Sequence, residues 1–480
     1  MRYFNLKWFY AVLFLNQVAY AQTLSAKVDE LIDQQLPRAT VGALIKDAQT
    51  GEVIYSRNAN KLLTPASSTK LFTAAAAFYY LKPEFHFLTT LSQKGQDYYI
   101  TFSGSPSFSA DNLSALLMTL KKNNVTSIAG DIVIDSSQFP QPYYLSGDSY
   151  DDLGWAYTAP DTAAVLNENA EAYELISGQI LGSHIQIKPK ISAKEKPKIR
   201  ALTFKNEVIT VRKEEEKNHC SLHVELQANN TLRLFGCMMQ SKNPKMVEFA
   251  IPDPILFIKQ VTQSTLDNEG IELKGEIISG KTPADVIPIA SYKSANLHQL
   301  VRHMLQKSDN LYANNLTRKL GYEVTGKGSH KEGMFAMKKI ISEHTPIDVK
   351  EMELIDGEGT RYNLIAPEQF VALLMELYHN KDIRPLLLNS LPQAGVSGTL
   401  QARMKDTILD KKVFAKTGTM HDVSSLSGFL INSNEKTFVF SIITNGVGKA
   451  EKAKALEEKI LAIVAEYYLE QSKISKEDRR

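Results

Sequence analysis

The segment Thr64–Phe78, whose second half is apolar on nearly every side, constrains this chain more than any other stretch. After Lys70 it consists almost entirely of Leu, Phe and Ala. Thr64 suits a helix N-cap and Pro65 suits the first helical position, so the pattern predicts a helix that begins here. A helix that lacks a polar face has to be buried all round. The segment is therefore predicted to lie at the centre of a domain.

Two reactive side chains lie near the start of this helix. Ser67 and Lys70 are three residues apart and share one helix face, so the amine can reach the hydroxyl. A serine hydroxyl becomes a nucleophile when a neighbouring base takes its proton, and a desolvated lysine is such a base. Ser-x-x-Lys arises by chance about twice in a chain of ordinary composition and this length. A second copy, Ser433 to Lys436, falls in a predicted hairpin turn, so the first copy needs support from other motifs.

Length and charge limit the class of protein. A chain of 480 residues is too long for one compact core, which predicts two or three domains. The formal net charge is +2, and without Arg2 and Lys7 the chain has 53 basic and 53 acidic residues. A neutral balance argues against nucleic acid as the main partner.

The N-terminus has the pattern of a secretory signal peptide. Arg2 and Lys7 precede an apolar run over residues 8–15, and Ala19-Tyr20-Ala21 follows. The run is too short to span a bilayer, and a retained membrane anchor is the alternative. We therefore expect cleavage after Ala21 and a mature chain in the periplasm.

The two cysteines fit that compartment. Cys220 and Cys237 flank two segments of alternating apolar and polar residues, with Asn229 and Asn230 between them. The pattern predicts a β-hairpin whose outer ends are joined by a disulfide. Two free buried cysteines are the alternative.

Two further motifs accompany the Ser67 tetrad. Ser308-Asp309-Asn310 lies at the junction of two predicted helices, and a Lys-Thr-Gly-Thr sequence, residues 416–419, lies on a predicted strand. Their order and their placement resemble the three-motif signature of the serine acyl-transferases that react with penicillin. In such a set Ser67 attacks a carbonyl carbon, Ser308 relays a proton to the leaving amine, and Asn310 holds the lysine base and a substrate amide.

The third motif is predicted to bind the substrate. Lys416 supplies positive charge for a substrate carboxylate, and the Thr417 hydroxyl binds the same carboxylate. Backbone N–H groups of Ser67 and Thr419 are predicted to form an oxyanion hole, with Gly418 also in the binding segment. The expected substrate is an acyl compound that ends in a free carboxylate.

Over the whole mature chain the sequence resembles the class C low-molecular-mass penicillin-binding proteins, the D-alanyl-D-alanine carboxypeptidase/endopeptidase family (peptidase family S13). Besides the cysteine hairpin and the long insertion between the first two motifs, the segments that carry the resemblance are Pro65-Ala66-Ser67, Asp131-Ile132-Val133-Ile134-Asp135, Phe139, Ala159-Pro160, Lys307 to Asn310, Asn363 to Pro367, Leu391 to Gly395, Gly398 to Leu400, and Ala415 to Thr419.

The resemblance implies an α+β fold. A penicillin-binding/β-lactamase-like transpeptidase domain, an antiparallel sheet flanked by helices, would be interrupted by a large insertion that forms two smaller strand-rich domains. The implied boundaries are a signal peptide at 1–21, the catalytic domain at 22–84 and 289–480, one inserted domain at 85–169 and 251–288, and a strand-rich domain at 170–250 that carries the cysteines.

The implied function is that of a serine D,D-peptidase. It would act on peptidoglycan stem peptides through a Ser67 acyl-enzyme, releasing terminal D-Ala, cleaving D-Ala cross-links, or both, and β-lactams would acylate it. The resemblance implies no metal or other cofactor, and it leaves a homodimer open. One alternative is a β-lactamase, but the deacylating glutamate of the class A pattern is not identified here. Another is a penicillin-binding sensor without turnover, against which the intact Lys70, Ser308 and Lys416 count.

The resemblance also implies a subsite for the third residue of the peptide. In the family, an aspartate of the insertion and an arginine after an Asp-Gly-Ser-Gly segment recognise its far end, and these positions correspond to Asp152 and Arg361. An oppositely charged pair suits a side chain that ends in an amine and a carboxylate, whereas two solvated surface charges are the alternative. This chain departs from the family in having Glu358 for the first serine, in a segment one residue shorter, and His421 where a glutamine is expected.

Overall fold

The computed structural model describes residues 24–190, 199–217, 220–432 and 436–477. The predicted signal peptide and most of the turn that holds the second Ser-x-x-Lys copy lie outside these residues. Within them the chain divides into two units. The first unit contains residues 24–80, 301–309 and 337–477, and the second contains residues 81–300 and 310–336, apart from the gaps.

The helices follow the chain in this order: α1 (24–35), α2 (Lys70–Tyr80), α3 (Ala110–Lys122), α4 (Lys213–Lys217), α5 (Pro254–Glu269), α6 (Leu297–Lys307), α7 (Asn310–Thr325), α8 (His330–His344), α9 (Pro367–His379), α10 (Ile383–Ser390) and α11 (Ala450–Glu477).

The strands are β1 (Thr40–Asp47), β2 (Val53–Arg57), β3 (Leu88–Lys94), β4 (Asp97–Thr101), β5 (Ser127–Ile128), β6 (Ile132–Asp135), β7 (Ala170–Ile176), β8 (Gln186–Pro189), β9 (Thr203–Asn206), β10 (Ile209–Val211), β11 (Leu222–Gln227), β12 (Thr231–Met239), β13 (Lys245–Ala250), β14 (Glu272–Leu273), β15 (Ile277–Ser279), β16 (Ile287–Lys293), β17 (Val413–Met420), β18 (Val423–Ile431) and β19 (Thr437–Asn445).

An antiparallel sheet of strand order β17-β18-β19-β1-β2 is the centre of the first unit. Strand β1 pairs with β19 from Thr40 opposite Asn445 to Asp47 opposite Phe438, so segments from the two ends of the chain complete the sheet. Helices α1 and α11 bury an apolar stripe in one cluster with these strands. The predicted antiparallel sheet flanked by helices is therefore confirmed.

Helix α2 is buried as its composition predicts. Residues 70–79 are all buried, and Phe72 packs edge-on against Phe370 of α9 with ring centroids 5.3 Å apart. Small alanine side chains allow the neighbouring elements to approach this helix closely. The last residue of the first motif, Lys70, is thus the first residue of a fully buried helical segment.

The start of this helix differs from the prediction. A 3-10 turn, Ala66–Thr69, precedes α2, and Pro65 rather than Thr64 takes the cap position, without a side-chain cap. Thr64 instead exchanges backbone hydrogen bonds with the Asn445 side-chain amide, at 2.9 and 3.0 Å. The predicted N-cap at Thr64 is wrong because Ala66 has φ +49°, a left-handed conformation that a right-handed helix excludes.

The second unit contains a mixed sheet of order β15-β6-β4-β3-β16 and, over residues 170–250, smaller sheets of short strands. In the smaller sheets, β11 and β12 pair antiparallel from Leu222 opposite Gly236 to Gln227 opposite Thr231. Cys220 and Cys237 form a disulfide with Cα atoms 5.5 Å apart. The predicted stapled hairpin is confirmed.

A buried ion pair fixes helix α7 within the second unit. The Arg318 guanidinium donates to the Asp161 carboxylate at 2.6 Å, and both side chains are almost completely shielded from solvent. The same guanidinium donates to the carbonyls of Asp161 at 2.6 Å, Gly328 at 2.8 Å and Pro142 at 3.2 Å. These bonds hold the helix whose first residue is Asn310. Among the described residues, none of the helices has the length and apolar character needed to cross a membrane.

Candidate active site

Ser67 and Lys70 are joined directly in the first unit. The Lys70 Nζ lies 2.9 Å from Ser67 Oγ and donates to the carbonyl of Glu358 at 2.8 Å. Burial lowers the pKa of Lys70 to about 8, although the charges of Glu358, Asp309 and Asp356 act in the opposite direction. Near pH 8 about half of the Lys70 side chains are neutral, the state that can take the proton of Ser67.

The loop that follows β-bridge residue Glu353 is folded around the carboxylate of Asp356. Its Oδ1 accepts the backbone N–H groups of Glu358, Gly359 and Thr360 at 3.1, 2.7 and 3.1 Å. The other oxygen accepts the Thr360 hydroxyl and the side-chain amide of Asn363. A carboxylate that holds several donors at once fixes the loop in one conformation.

This loop lies directly against the turn that carries the serine. Gly359 has φ +105°, and a Cβ at this position would lie 2.0 Å from the Ala66 carbonyl oxygen and 2.9 Å from the Ser67 nitrogen. Thr73, one turn into α2, donates its hydroxyl to the carbonyl of Gly357 at 2.6 Å. The loop therefore supports both the turn with Ser67 and the helix with the lysine.

A second lysine, Lys416 of the third motif, is hydrogen-bonded to Ser308 of the second motif. Lys416 on β17 is fully buried, and its Nζ donates to Ser308 Oγ at 2.9 Å and to the Thr417 carbonyl at 2.6 Å. Burial, followed by the charge of Lys70, lowers the pKa of Lys416 well below its usual value. Ser308 has φ +59° at the junction of α6 and α7. The predicted Ser67, Lys70, Ser308 and Lys416 thus come together in two hydrogen-bonded pairs.

Strand β17 packs closely against the segment that carries Ser67, and small and hydroxyl-bearing residues make the contacts. A Cβ on Gly418 would lie 2.4 Å from the Pro65 carbonyl oxygen, so only glycine permits this approach. Ser425 on β18 donates to the same carbonyl at 2.5 Å and lies 2.7 Å from Ser68 Oγ. Sequence reasoning missed Ser68 and Ser425, although fully buried hydroxyls in an apolar central strand are a signal of such bonds.

The remaining predicted residues of the first unit lie near the end of β17 or on the surface. The Thr417 and Thr399 hydroxyls are 2.7 Å apart, and Thr419 is exposed. His421, in the turn after β17, is 92% exposed and lies 3.4 Å from the Asp422 carboxylate. Arg361 is also exposed.

Two predicted residues lie in the second unit. Asn310 donates its side-chain amide to the carbonyl of Tyr157 at 2.8 Å. The Tyr157 hydroxyl in turn donates to Asp152 at 2.7 Å, and burial together with this bond raises the pKa of Tyr157. Tyr157, which the sequence did not single out as a site residue, therefore links Asn310 and Asp152 within this unit.

Comparison with known proteins shows the family of this chain. The D-Ala-D-Ala carboxypeptidase 3 (S13) family matches residues 24–467. The chain belongs to this family. It is 28% identical over 447 residues to the D-alanyl-D-alanine carboxypeptidase DacB of Haemophilus influenzae, a match that covers 90% of this chain and 91% of the relative.

A solved structure supports the same membership. Penicillin binding protein 4 from H. influenzae matches this S13 family member with a TM-score of 0.82 and 27% identity, covering 92% of this chain and 99% of that one. Its complex with a β-lactam matches with a TM-score of 0.77 and 25% identity, covering 91% and 99%. The predicted family and fold class are confirmed.

Proposed function

We propose that this chain is a serine D,D-peptidase that acts on peptidoglycan stem peptides through an acyl-enzyme on Ser67. The observation that carries the proposal is the 2.9 Å contact between Ser67 Oγ and the buried Lys70, whose pKa is about 8. Family membership supports it, because the relative in H. influenzae is named a D-alanyl-D-alanine carboxypeptidase.

The acylation step follows from these two hydrogen-bonded pairs. Neutral Lys70 takes the proton of Ser67 while Oγ forms a bond to the carbonyl carbon of the penultimate D-Ala. The peptide bond to the last D-Ala then breaks, and its nitrogen receives a proton from Ser308. Lys416, which donates to Ser308 Oγ at 2.9 Å, returns a proton to that hydroxyl. Water finally cleaves the ester: its hydroxyl joins the acyl carbon, its remaining proton goes to Lys416, and Lys70 returns its proton to Ser67 Oγ as the bond between Oγ and the acyl carbon breaks. The shortened peptide leaves as the acid, and both lysines are back in their starting states.

The charge on the tetrahedral intermediate needs donors that are already in place. The close packing of Gly418 against Pro65 supports the assignment of the Ser67 and Thr419 backbone N–H groups to an oxyanion hole. We assign recognition of the substrate carboxylate to Lys416 and Thr417. Lys416 is fully buried and bonded to Ser308. We therefore propose that its charge acts on the substrate carboxylate through its electric field and through the Ser308 hydroxyl.

We assign the outer part of the peptide to residues implied by the resemblance. The resemblance supports binding of a substrate amide by Asn310, and it supports roles in recognising the third residue for Asp152 of the second unit and for Arg361 and His421 of the first unit. The side chain of Arg361 is exposed and that of His421 is 92% exposed, so both are accessible to a large substrate.

We further propose that the protein is exported. Residues 1–21 act as a signal peptide cleaved after Ala21, and the mature chain works in the periplasm; the resemblance leaves a homodimer open. We also propose that the insertion comprises two domains, with residues 170–250 as the inner one. β-Lactams acylate Ser67 in this proposal, and the H. influenzae relative was solved with a β-lactam.

A labelling experiment tests the proposal. Purified mature protein, Ser67→Ala and the control Ser342→Ala, which changes an exposed serine on α8, are incubated with fluorescent penicillin and with muropeptides. Wild type and the control are expected to label stably and to release D-Ala or cleave cross-links, and Ser67→Ala is expected to do neither.

The other outcomes overturn the proposal in distinct ways. Labelling of Ser67→Ala at the wild-type level would remove Ser67 from the chemistry. Rapid penicillin turnover would make the chain a β-lactamase. Stable labelling without release of D-Ala or cleavage of any cross-link would make it a sensor.

A further inference from the structure

Glu358 is a buried carboxylate beside the base of the reaction. The residue is only 7% exposed, and its own carbonyl accepts a hydrogen bond from Lys70 Nζ at 2.8 Å. Three acidic groups raise the pKa of Lys70 against the effect of burial, and Glu358 contributes the most. The Glu358 carboxylate belongs to the buried residue whose backbone carbonyl contacts Lys70, and charges in a buried medium of low dielectric are screened weakly.

The backbone of this residue is held in place from both sides. Its N–H donates to Asp356 Oδ1 at 3.1 Å, and the next residue, Gly359, abuts the Ala66 carbonyl. Gly357 on the other side accepts the Thr73 hydroxyl at 2.6 Å. The position of the Glu358 carbonyl, and hence of Lys70 Nζ, therefore does not depend on its side chain.

We propose that Glu358 acts electrostatically through Lys70: the carboxylate of Glu358 stabilises the ammonium group that forms on Lys70 when Ser67 gives up its proton. The proposal rests on the proposed function of Ser67 and Lys70. The physical role is that of the aspartate in a Ser-His-Asp triad, where an anion stabilises the protonated base without taking the proton.

The other charges that face Lys70 are less suited to this role. Both carboxylate oxygens of Asp356 accept hydrogen bonds from backbone and side-chain groups of its own loop. Asp309 lies 3.2 Å from His303 Nε2. Lys416 carries the same sign as Lys70 and has a strongly lowered pKa of its own. Of the three acids, Glu358 therefore has the largest effect on the pKa of Lys70.

The consequence is a specific pH dependence. Acylation needs neutral Lys70, so the rate should rise with pH through the pKa of Lys70, about 8. A nearby anion favours the charged lysine, so its removal lowers this pKa and moves the rise in rate to lower pH. At the same time the lysine becomes a weaker base, and the limiting rate falls.

The test measures the second-order rate of penicillin acylation from pH 5.5 to 10 for wild type, Glu358→Gln, Glu358→Asp and the control Glu353→Gln. In Glu358→Gln we expect the midpoint to fall by about one pH unit and the limiting rate to fall about tenfold. Glu358→Asp should restore the wild-type midpoint, and Glu353→Gln, which changes an exposed acid of the same segment, should have no effect.

A structural role alone predicts a different result. It would lower the rate equally at every pH and leave the midpoint in place, which would overturn the proposal. If Glu358→Gln does not fold, Glu358→Ser is measured instead, and failure of both variants to fold would also assign a structural role. A wild type that penicillin does not acylate would refute the proposed function rather than the role of Glu358.

Discussion

Replacing Gly359 by alanine tests whether the loop at Asp356 supports the nucleophile. Gly359 has φ +105°, and its Cβ would lie 2.0 Å from the Ala66 carbonyl oxygen and 2.9 Å from the Ser67 nitrogen. A side chain in this conformation costs about 1–3 kcal/mol. Relief of the clash also requires the backbone at Ala66 or the loop to move by about 1 Å, since ordinary carbon–oxygen contacts exceed about 3 Å.

A shift of about 1 Å in the backbone at Ala66 would also move the adjacent residue, Ser67, which is the proposed nucleophile. Misplacement by about 1 Å costs about 100-fold in rate, because the reacting atoms leave the geometry of attack. Gly359→Ala is therefore expected to lower the penicillin acylation rate about 100-fold or more. The free energy of unfolding should fall by about 1–3 kcal/mol from the strained backbone alone.

Substitution of a second glycine, Gly51, distinguishes the effect of backbone strain from the effect of a steric clash. Gly51, in the turn between β1 and β2, has φ +74°, and a Cβ added there would have no atom within 4 Å, so Gly51→Ala introduces strain without a clash. It should destabilise the protein by about 1–2 kcal/mol and acylate at the wild-type rate. The assay combines stopped-flow acylation with urea unfolding. Normal acylation by a folded Gly359→Ala protein would show that the loop does not support the nucleophile.

Two further substitutions address specificity and stability. Arg361→Ala should lower kcat/KM for diaminopimelate-containing peptides about tenfold more than kcat/KM for a simple acyl-D-Ala-D-Ala, because only the first substrate loses a charge-assisted hydrogen bond. Equal losses in kcat/KM for both substrates would exclude Arg361 from the subsite. Asp161→Asn leaves the buried Arg318 without its countercharge and should lower the free energy of unfolding by about 3–5 kcal/mol in urea. Glu323→Gln, which removes a half-exposed partner of Lys319, should cost less than about 1 kcal/mol, and similar losses in both variants would contradict this account.

Local patterns in the sequence predicted the buried helix α2 and the cysteine hairpin. The mostly apolar composition of residues 71–78 favoured a buried helix, and the alternation on either side of Asn229 and Asn230 favoured a hairpin. Turn residues and periodicity act over a few positions, so they can be recognised without the rest of the chain. The start of α2 was predicted wrongly because Ala66 has φ +49°, and this residue lies close to Gly359 and Gly418, which are far from it in the sequence.

The amino-acid sequence by itself determined which chemical groups the protein brings to its reaction. Three short motifs, spaced along the chain, predicted Ser67 as the nucleophile, Lys70 as its base, and Ser308 and Lys416 as their partners. Their order and residue types do not depend on how the chain is folded.

Only the tertiary structure decided how those groups are tuned. The pairing of Lys416 with Ser308 joins residues 108 positions apart, and the carbonyl of Glu358 meets Lys70 across 288 positions. Such contacts depend on the register of β17 in the sheet and on the loop folded around Asp356. Burial at this junction is what lowers the pKa of Lys70 to about 8, since desolvation is a property of the surroundings and not of the motif.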